Sequence, residues 1–365
     1  MNNINILVWQ WGRKGAGPKI AVEFTKALRL IDDINPILSL SRQSETISKI
    51  TYCDYKISVN TYKNYFGYLK CVCLSPLRIV TLVKTLKKYK IKYAFCMMPG
   101  PLDSIMAIAL RYLKIPFIVI IHDAYPHPGD GYIFQNFLQK LLIKQCSYIV
   151  SLTNYTQAQL KTQNVAKGKQ FLSGWHPPFE FPENTNPSPL KNNKIHILNF
   201  GRLLYYKGLD LLEEALNQLS SYKSFELRII GNGPHTSILD KLANHPNVSV
   251  ENRWVPEEEI SSLMDWADLI ILPYKDASQS GIAATALAYG KPILTTKVGG
   301  LVEQLAHEQF VYFCEPNATS IAKELEKVLK LDFPFRRQKY NVQEEWKKFA
   351  FELLDQLNLV KIKNI

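Results

Sequence analysis

Short apolar runs alternate with longer amphipathic stretches along most of the chain. Residues 4–9, 117–121 and 269–272 are almost wholly apolar, which is typical of strands buried on both faces. The stretches between such runs, for example residues 20–30 and 211–219, place apolar side chains at helical spacing. Strands alternating with helices in this way predict an α/β protein with parallel sheets covered on both faces.

A proline-rich segment divides the pattern into two similar halves. Residues 176–193 contain five prolines among polar residues and have no hydrophobic period, which predicts a linker. We therefore predict a first Rossmann-like domain at 1–175 and a second at 194–340, facing each other across a cleft. Residues 341–365 are predicted to contain an amphipathic helix, which could pack back on the first domain. Halves of this kind bind ligands at the carboxyl ends of their strands.

The charge is concentrated in the first half. The net charge is +12, but residues 1–175 carry 23 basic and 8 acidic side chains, or +15, whereas residues 176–365 carry 21 and 24, or −3. This asymmetry predicts an anionic surface or substrate for the first half. Six scattered cysteines, the lack of a signal-peptide pattern and the lack of an apolar run of ~18–20 residues predict a cytoplasmic protein.

Two glycine-containing turns follow predicted strands in positions that suit ligand binding. After the first strand come Gly15 and Gly17, which either let a ligand approach the backbone or only form a tight turn. The turn lacks the GxGxxG dinucleotide fingerprint, so no nicotinamide cofactor is expected. After the strand at 195–198 come Gly201, Arg202 and Lys207, in NFGRLLYYKGLD. A guanidinium and an ammonium at a helix start predict a phosphate site, although a solvated loop remains an alternative.

A second anion site is predicted after the strand at 269–272. A polar loop there leads to Ser280, Gly281 and Ile282, which open a helix rich in alanine. Free backbone N–H groups at a helix start attract anions. Two such sites in one half would suit the two phosphates of a diphosphate.

The second half resembles the donor-binding domain of the GT-B glycosyltransferases of the retaining family 4. The resemblance lies in GR(x)4KG, in the GxGP loop that contains Gly233, and in AxGKP(x)3T(x)2GG from Ala288 to Gly300. It implies that the enzyme uses a UDP- or GDP-linked sugar without another cofactor or a metal. It further implies that Arg202 and Lys207 hold the donor diphosphate, with backbone help from residues 280–282.

The same resemblance assigns further roles. Trp254 and Val255 stand where the family contacts the nucleotide base, and His122 corresponds to a histidine beside the reacting sugar. Gly201 and Gly233 belong to the donor-binding loops, and the turn with Gly15 and Gly17 resembles a loop near donor and acceptor.

The sequence departs from the family where two glutamates usually contact the sugar and the ribose. Ala277 and Thr285 occupy those positions, and Gln279 or Asp276 could replace the lost sugar contact. Thr285 is a neutral and weaker acceptor than a carboxylate. Two alternatives therefore stay open, namely a non-catalytic GT-B subunit that activates a partner and a nucleotide-sugar epimerase of the same fold.

Charge and motifs also bear on three other kinds of partner, namely metal ions, membranes and nucleic acids. The HDAYPHPGD segment, residues 122–130, lacks a spacing that would present metal ligands on one face, so no metal is expected. The basic stretch 84–92 is either a solvated helix face or, given the +15 of the first half, a surface for peripheral contact with an anionic membrane, which would suit a lipid-linked or surface-polysaccharide acceptor. No nucleic-acid recognition module is visible.

Overall fold

Two parallel sheets organise the chain, one in each of two units. The computed structural model describes residues 3–45, 47, 55–127, 129, 134–179, 181, 194–219, 225–331 and 340–360. Unit 1 comprises Met1–Pro126, Gly131–Trp175 and Gln343–Ile365, and unit 2 comprises His127–Asp130 and His176–Val342. Most of the predicted linker, residue 180 and residues 182–193, lies outside the described residues.

Unit 1 is built on a seven-stranded parallel sheet with the strand order β3-β2-β1-β4-β5-β6-β7. The strands are β1 (Ile4–Gln10), β2 (Ile34–Ser41), β3 (Tyr55–Val59), β4 (Tyr93–Cys96), β5 (Phe117–Ile121), β6 (Tyr148–Ser151) and β7 (Gln170–Ser173). The helices are α1 (Ala16–Arg29), α2 (Tyr65–Cys73), α3 (Ser75–Lys88), α4 (Asp103–Tyr112), α5 (Gln135–Gln145) and α6 (Asn154–Lys161). The central strands are buried on both faces, as their uninterrupted apolar sequences predict.

Unit 2 repeats this plan with six parallel strands in the order β10-β9-β8-β11-β12-β13. Its strands are β8 (Ile195–Phe200), β9 (Phe225–Gly231), β10 (Val248–Asn252), β11 (Leu269–Leu272), β12 (Ile293–Thr296) and β13 (Val311–Cys314). Its helices are α7 (Leu209–Asn217), α8 (Ser237–Ala243), α9 (Glu257–Trp266), α10 (Gly281–Ala288), α11 (Gly299–Leu305) and α12 (Ala318–Val328). The predicted class of two Rossmann-like α/β domains is therefore confirmed.

The strand order reverses once in each sheet. It reverses between β1 and β4 in unit 1 and between β8 and β11 in unit 2. Loops that leave the carboxyl ends of two such strands diverge to opposite faces and leave a crevice in which ligands of doubly wound proteins bind. The loop with Arg202 follows β8 and the loop before Ser280 follows β11, so both predicted anion sites lie at the switch point of unit 2.

The prediction placed the start of α1 too late. The helix begins at Ala16 rather than at residue 20, and Pro18 lies in its first turn. A proline there sacrifices no helical hydrogen bond, because the first N–H groups of a helix have no partner within it. The two glycines therefore open the helix instead of forming a separate turn before it.

The last helix, α13 (Val342–Gln356), places its aromatic face in the core of unit 1. Phe349 is 2% exposed, and its ring centroid lies 5.8 Å from that of Phe24 and 5.4 Å from that of Trp175. Gln356 Nε2 donates to the Ser173 carbonyl oxygen at 2.9 Å, and Ser173 N donates to Gln356 Oε1 at 2.9 Å. Unit 1 thus combines chain segments from both ends of the sequence.

A carboxyl group is buried in the core of unit 1 at the start of α4. Asp103 accepts hydrogen bonds from Trp9 Nε1 at 3.2 Å, from Gly100 N at 2.6 Å and from Cys96 Sγ at 3.4 Å. Burial raises the pKa of Asp103 to about 7, although these three donors act in the opposite direction. The group is therefore protonated more readily in the folded chain than in the unfolded one.

The contribution of Asp103 to stability is expected to decrease as the pH rises from about 4 to about 7. Because its pKa is raised on folding, the contribution is fully present below the unfolded pKa of about 3.9 and is lost as the pH passes the folded pKa. Urea unfolding of wild type and Asp103→Asn at pH 5 and pH 8 measures this. The stability difference between the two proteins should change by on the order of 2 kcal/mol between these pH values. An equal difference at both would contradict the prediction.

Candidate functional site

The loop after β8 is the centre of the candidate site in unit 2. Gly201 has a φ of 122° and donates its N–H to the Ile230 carbonyl oxygen at 3.1 Å. Leu203 N donates to the Asn232 carbonyl oxygen at 3.0 Å, so the loop continues the pairing of β8 with β9. A Cβ at Gly201 would lie 3.5 Å from Ile282 Cγ1, which shows how closely the start of α10 approaches this loop.

Gly208 ends the loop in a conformation and a space that only glycine fits. Residues Tyr205–Lys207 form a short 3-10 helix, and Gly208, with a φ of 68°, precedes α7. A Cβ there would lie 1.8 Å from the Pro273 carbonyl oxygen, just beyond β11. The glycine therefore lets the loops of β8 and β11 touch, and so fixes the backbone beside Lys207.

Two tyrosine rings surround the cations of this loop. Lys207 Nζ lies 3.8 Å from the centroid of the Tyr274 ring and 4.9 Å from that of Tyr206. Arg202 Nη2 donates to Tyr206 Oη at 3.3 Å, and Arg202 is exposed to solvent. Burial raises the pKa of Tyr274 to about 12, so its ring stays neutral and offers a polarisable face to the ammonium. The two predicted phosphate ligands are thus held beside one another through Tyr206.

The start of α10 supplies backbone donors, but one fewer than predicted. Ser280 caps the helix by accepting from Ala283 N at 3.2 Å. Its own N–H donates to Gln304 Oε1 at 2.7 Å, and Gln304 Nε2 donates to the Ser280 carbonyl oxygen at 3.0 Å. The prediction of a free N–H at Ser280 is therefore wrong, because the Gln304 amide occupies it. The N–H groups of Gly281 and Ile282 remain as the first-turn donors that the cap does not use.

The two positions that depart from the family pattern have internal structural roles. Thr285 is 2% exposed, and its Oγ1 donates to the Gly281 carbonyl oxygen at 2.9 Å. Ala277 is 1% exposed, and its carbonyl oxygen accepts from Gly300 N at 2.9 Å. The hydroxyl proton of Thr285 is thus used in a hydrogen bond within the helix. The hydroxyl oxygen can therefore only accept a hydrogen bond from a ligand.

The neighbouring loops bring the remaining predicted residues of unit 2 to the same edge of the sheet. A Cβ at Gly233 would lie 2.2 Å from the Leu203 carbonyl oxygen, so the GxGP loop packs directly on the Arg202 loop. Gly233 N donates to Asn252 Oδ1 at 3.1 Å at the end of β10. Trp254 follows β10 with 55% of its surface exposed, whereas Val255 is buried. Trp254 offers a flat apolar surface at this edge, whereas Val255 packs in the core of unit 2.

A histidine outside the predicted set joins this group. His127 stacks on Tyr206 with ring centroids 4.3 Å apart and an interplanar angle of 12°. Its Nδ1 lies 3.2 Å from Asp276 Oδ2, in the loop that also contains Gln279. In the sequence this histidine stands out only as a possible metal ligand of the segment 122–130. Within the described residues, which omit Pro128 and Asp130, no group of three His, Cys, Asp or Glu side chains is arranged to hold a metal ion.

The predicted residues of unit 1 lie at the carboxyl ends of β1 and β5. His122 follows β5, is 6% exposed, and its Nε2 lies 3.1 Å from the Met97 carbonyl oxygen. Burial lowers the pKa of His122, so the ring is neutral at pH 7 with Nε2 as the donor nitrogen. Gly15 precedes α1 with a φ of 83°, and its N–H donates to Glu45 Oε1 at 3.0 Å. Gly17 is buried in the first turn of α1, against the Gln10 amide.

Unit 1 also contains a cavity that the sequence did not reveal. Its volume is about 390 Å³. Trp11, Arg42 and Asn60, which line it, directly follow β1, β2 and β3, and α3 contributes Leu77 and Arg78. The cavity therefore lies at the edge of the sheet where doubly wound proteins bind ligands.

Comparisons with known proteins show that the second half of the chain is similar to glycosyltransferases. Residues 180–350 match the family model described as "Glycosyl transferases group 1". An uncharacterized glycosyltransferase of Methanocaldococcus jannaschii is 28% identical over 181 residues, which cover 47% of this chain and 46% of the relative. The chain covers less than two thirds of the length of the first curated relatives it matches.

Solved structures show the same fold over the whole chain. A glycosyltransferase from Rickettsia africae has a TM-score of 0.69 at 18% identity, with full coverage of both chains. The Anabaena protein HepE in complex with UDP and glucose has a TM-score of 0.67 at 16% identity, covering 97% of this chain and 95% of that one. The predicted GT-B fold is thus confirmed, and the match over residues 180–350 supports the predicted resemblance of the second half to glycosyltransferases, while membership of family 4 stays a prediction.

Proposed function

We propose that this protein is a family 4 glycosyltransferase that moves a sugar from a UDP- or GDP-linked donor to a hydroxyl acceptor. The observation that carries the proposal is the pairing of Arg202 and Lys207 at the switch point of unit 2, beside the start of α10. A guanidinium, an ammonium and two backbone N–H groups suit a diphosphate, which carries its charge on several oxygens. The match to a group 1 glycosyltransferase domain supports the same reading.

In the proposed reaction the bond between the anomeric carbon and the β-phosphate oxygen breaks while the acceptor oxygen bonds to that carbon. The acceptor proton passes to an oxygen of the leaving diphosphate, so no metal is required. Negative charge accumulates on the diphosphate as the bond breaks. Arg202 and Lys207 therefore stabilise the transition state more than the bound donor, which is the condition for faster turnover. The resemblance to family 4 supports retention of the anomeric configuration.

The other site residues are proposed to position the donor. Trp254, which is exposed, offers its ring to the nucleotide base, and the adjacent Val255 contributes to the same contact. Neutral His122 provides a hydrogen bond to the transferred sugar without adding a competing positive charge. Thr285 offers its oxygen to a ribose hydroxyl, and Gln279 or Asp276 contacts the sugar in place of the usual glutamate. Gly15 and Gly17 keep the first loop free of side chains near the sugar.

The acceptor is proposed to be a lipid-linked or surface-polysaccharide intermediate. The net charge of +15 in residues 1–175 supports this choice, because such acceptors are anionic or lie at an anionic surface. Nucleic acid is not proposed as a partner.

Incubation with a panel of UDP- and GDP-sugars, with and without lipid-phosphate acceptors, tests the function. Release of the nucleotide that depends on an acceptor is expected, together with a glycosylated product. Interconversion of the donor sugar without an acceptor would instead identify an epimerase. Donor binding without turnover, followed by turnover once a partner protein is added, would favour the non-catalytic subunit that Ala277 and Thr285 keep open.

A further inference from the structure

Helices α2 and α3 expose a concentrated set of large apolar side chains. Of the eighteen large hydrophobic residues found exposed in the described chain, seven lie within sixteen residues. We call this set the apolar patch; its members are Tyr65, Phe66, Leu69, Val72, Leu74, Leu77 and Val80. Phe66 is 80% exposed and Leu77 is 68% exposed. Single exposed hydrophobic residues are ordinary, but a concentrated group of this kind marks an interaction surface.

The two helices are suited to lie on a bilayer rather than to cross it. Within the described part of the chain, no single helix is long and apolar enough to span a membrane. Helices α2 and α3 together have the required length and apolarity, but the pair is bent by 67°. The nine residues of α2 extend for roughly 14 Å, against about 30 Å for a hydrocarbon core. On the opposite face, Cys71, Leu82 and Leu86 are buried in the core of unit 1. Only one face is therefore available to lipid.

The charge around the apolar patch selects an anionic surface. Residues 55–102 contain nine Lys and Arg side chains and not one Asp or Glu. Lys63 and Lys70 are exposed on or beside α2, and Lys84, Lys87 and Lys88 are exposed along α3. Each lysine near an anionic bilayer adds electrostatic attraction to it. The apolar patch within a wholly basic segment fits a bilayer interface better than it fits a second copy of the same basic surface.

The cavity of unit 1 opens beside this surface. Leu74 and Leu77 belong both to the apolar patch and to the cavity lining. The lining also includes Arg42, whose Nε donates to Ser58 Oγ at 2.9 Å, and Arg78, whose Nη1 donates to the Asn60 carbonyl oxygen at 2.6 Å. These contacts fix two guanidinium groups next to an apolar rim, an arrangement that suits a phosphate head group attached to an acyl chain.

We propose that the apolar patch and the adjoining cavity form a docking surface for an anionic lipid bilayer. Phe66 and Leu77 insert among the acyl chains, Tyr65 lies at the polar boundary, and Arg42 and Arg78 receive a lipid phosphate. The basic stretch 84–92, from which membrane contact was predicted, contributes attraction at a distance, and the insertion itself is made by α2 and the first half of α3. This surface goes beyond the proposed function and does not depend on it.

Flotation of the whole protein with lipid vesicles tests the proposal. Wild type should float with vesicles of phosphatidylcholine and phosphatidylglycerol, and bind pure phosphatidylcholine at least tenfold more weakly. Phe66→Ser/Leu77→Ser should bind the mixed vesicles at least tenfold more weakly, since two inserted side chains are lost. Leu30→Ser/Leu331→Ser, which also replaces two exposed hydrophobic residues, should bind within twofold of wild type.

A second pair of variants tests the cavity. Arg42→Gln/Arg78→Gln should lose at least fivefold in binding to the mixed vesicles and little in binding to pure phosphatidylcholine. Arg29→Gln/Arg111→Gln removes the same charge from exposed positions of α1 and α4 and should stay within twofold of wild type. Equal losses in the two pairs would mean that only net charge matters, and would overturn the role of the cavity.

Three results would overturn the proposal as a whole. They are equal binding of wild type to both kinds of vesicle, no flotation at all, and unchanged binding of Phe66→Ser/Leu77→Ser. A vesicle-free dimer that this variant abolishes would assign the apolar patch to a second copy of the chain instead. Donor turnover with a water-soluble acceptor is measured in parallel, so that failure at the membrane is separated from failure of the proposed enzyme activity.

Discussion

Replacing both Arg202 and Lys207 by alanine is expected to lower kcat/KM for the nucleotide-sugar by about 10³-fold. Hydrogen bonds to charged groups contribute about 1.5–3 kcal/mol each, and these two are proposed to strengthen as the diphosphate leaves. Most of the loss should therefore appear in kcat rather than in KM. Each single variant should retain part of the activity, because the other cation and the N–H groups of Gly281 and Ile282 remain.

Two comparisons isolate the role of these cations. Lys327→Ala removes an exposed lysine of the same unit, one that pairs with Glu324 on α12 at 2.7 Å, and should leave turnover within twofold of wild type. Arg202→Lys keeps the charge but loses the planar fork, so it should recover only part of the activity. If Arg202→Ala and Lys207→Ala both turn over at the wild-type rate, the assignment of the diphosphate site is wrong. Urea unfolding of each variant checks that a lower turnover does not result from unfolded protein.

Phe349→Ala is expected to destabilise unit 1 by about 3–5 kcal/mol. Its ring is buried among Phe24, Trp175 and Trp346, and truncation of a large aromatic side chain in such a place loses burial and leaves a cavity. A Cβ at Gly174 would lie 2.9 Å from Phe349 Cε2, so the surrounding backbone already approaches as closely as it can. Little collapse around the cavity is therefore expected.

Urea unfolding followed separately in the two units measures this effect. Tryptophan fluorescence reports on unit 1, through Trp9, Trp11, Trp175 and Trp346, in variants that lack the tryptophans of unit 2, Trp254 and Trp266. Lys347→Ala, at a half-exposed position of the same helix, should change stability by less than about 0.5 kcal/mol. An unfolding midpoint of unit 1 that does not move in Phe349→Ala would show that α13 adds nothing to this core.

The parts of the fold that could be predicted are those whose burial leaves a pattern in the sequence. Strands such as β5 and β11 are buried on both faces, so their residues are apolar without interruption. Helix α2 was not predicted, because its sequence YFGYLKCVC is apolar on the outer face as well and has no polar side to reveal the helical period. Strands β3 and β7 were not predicted either, because they lie at the two edges of the first sheet and have less apolar sequences.

The candidate site was predictable where its chemistry depends on neighbours in the sequence. Arg202, Lys207 and Gly208 stand in a short segment between a strand and a helix, so their grouping follows from local structure. The role of Tyr274 depends on the adjacency of β8 and β11, which are separated by about seventy residues along the chain. The bond from Ser280 N to Gln304 depends on the packing of α11 near α10. Contacts of this kind arise only from the folded arrangement and leave no local signal.

The position of α13 also bears on how the chain is made. Translation delivers α1 and β7 long before α13, since the whole of unit 2 is synthesised in between. During that interval the rings of Phe24 and Trp175 lack the partner that shields them from water. The nascent first unit thus exposes aromatic side chains to solvent while it is still on the ribosome. Chaperones would bind this exposed apolar surface until α13 is synthesised and covers it.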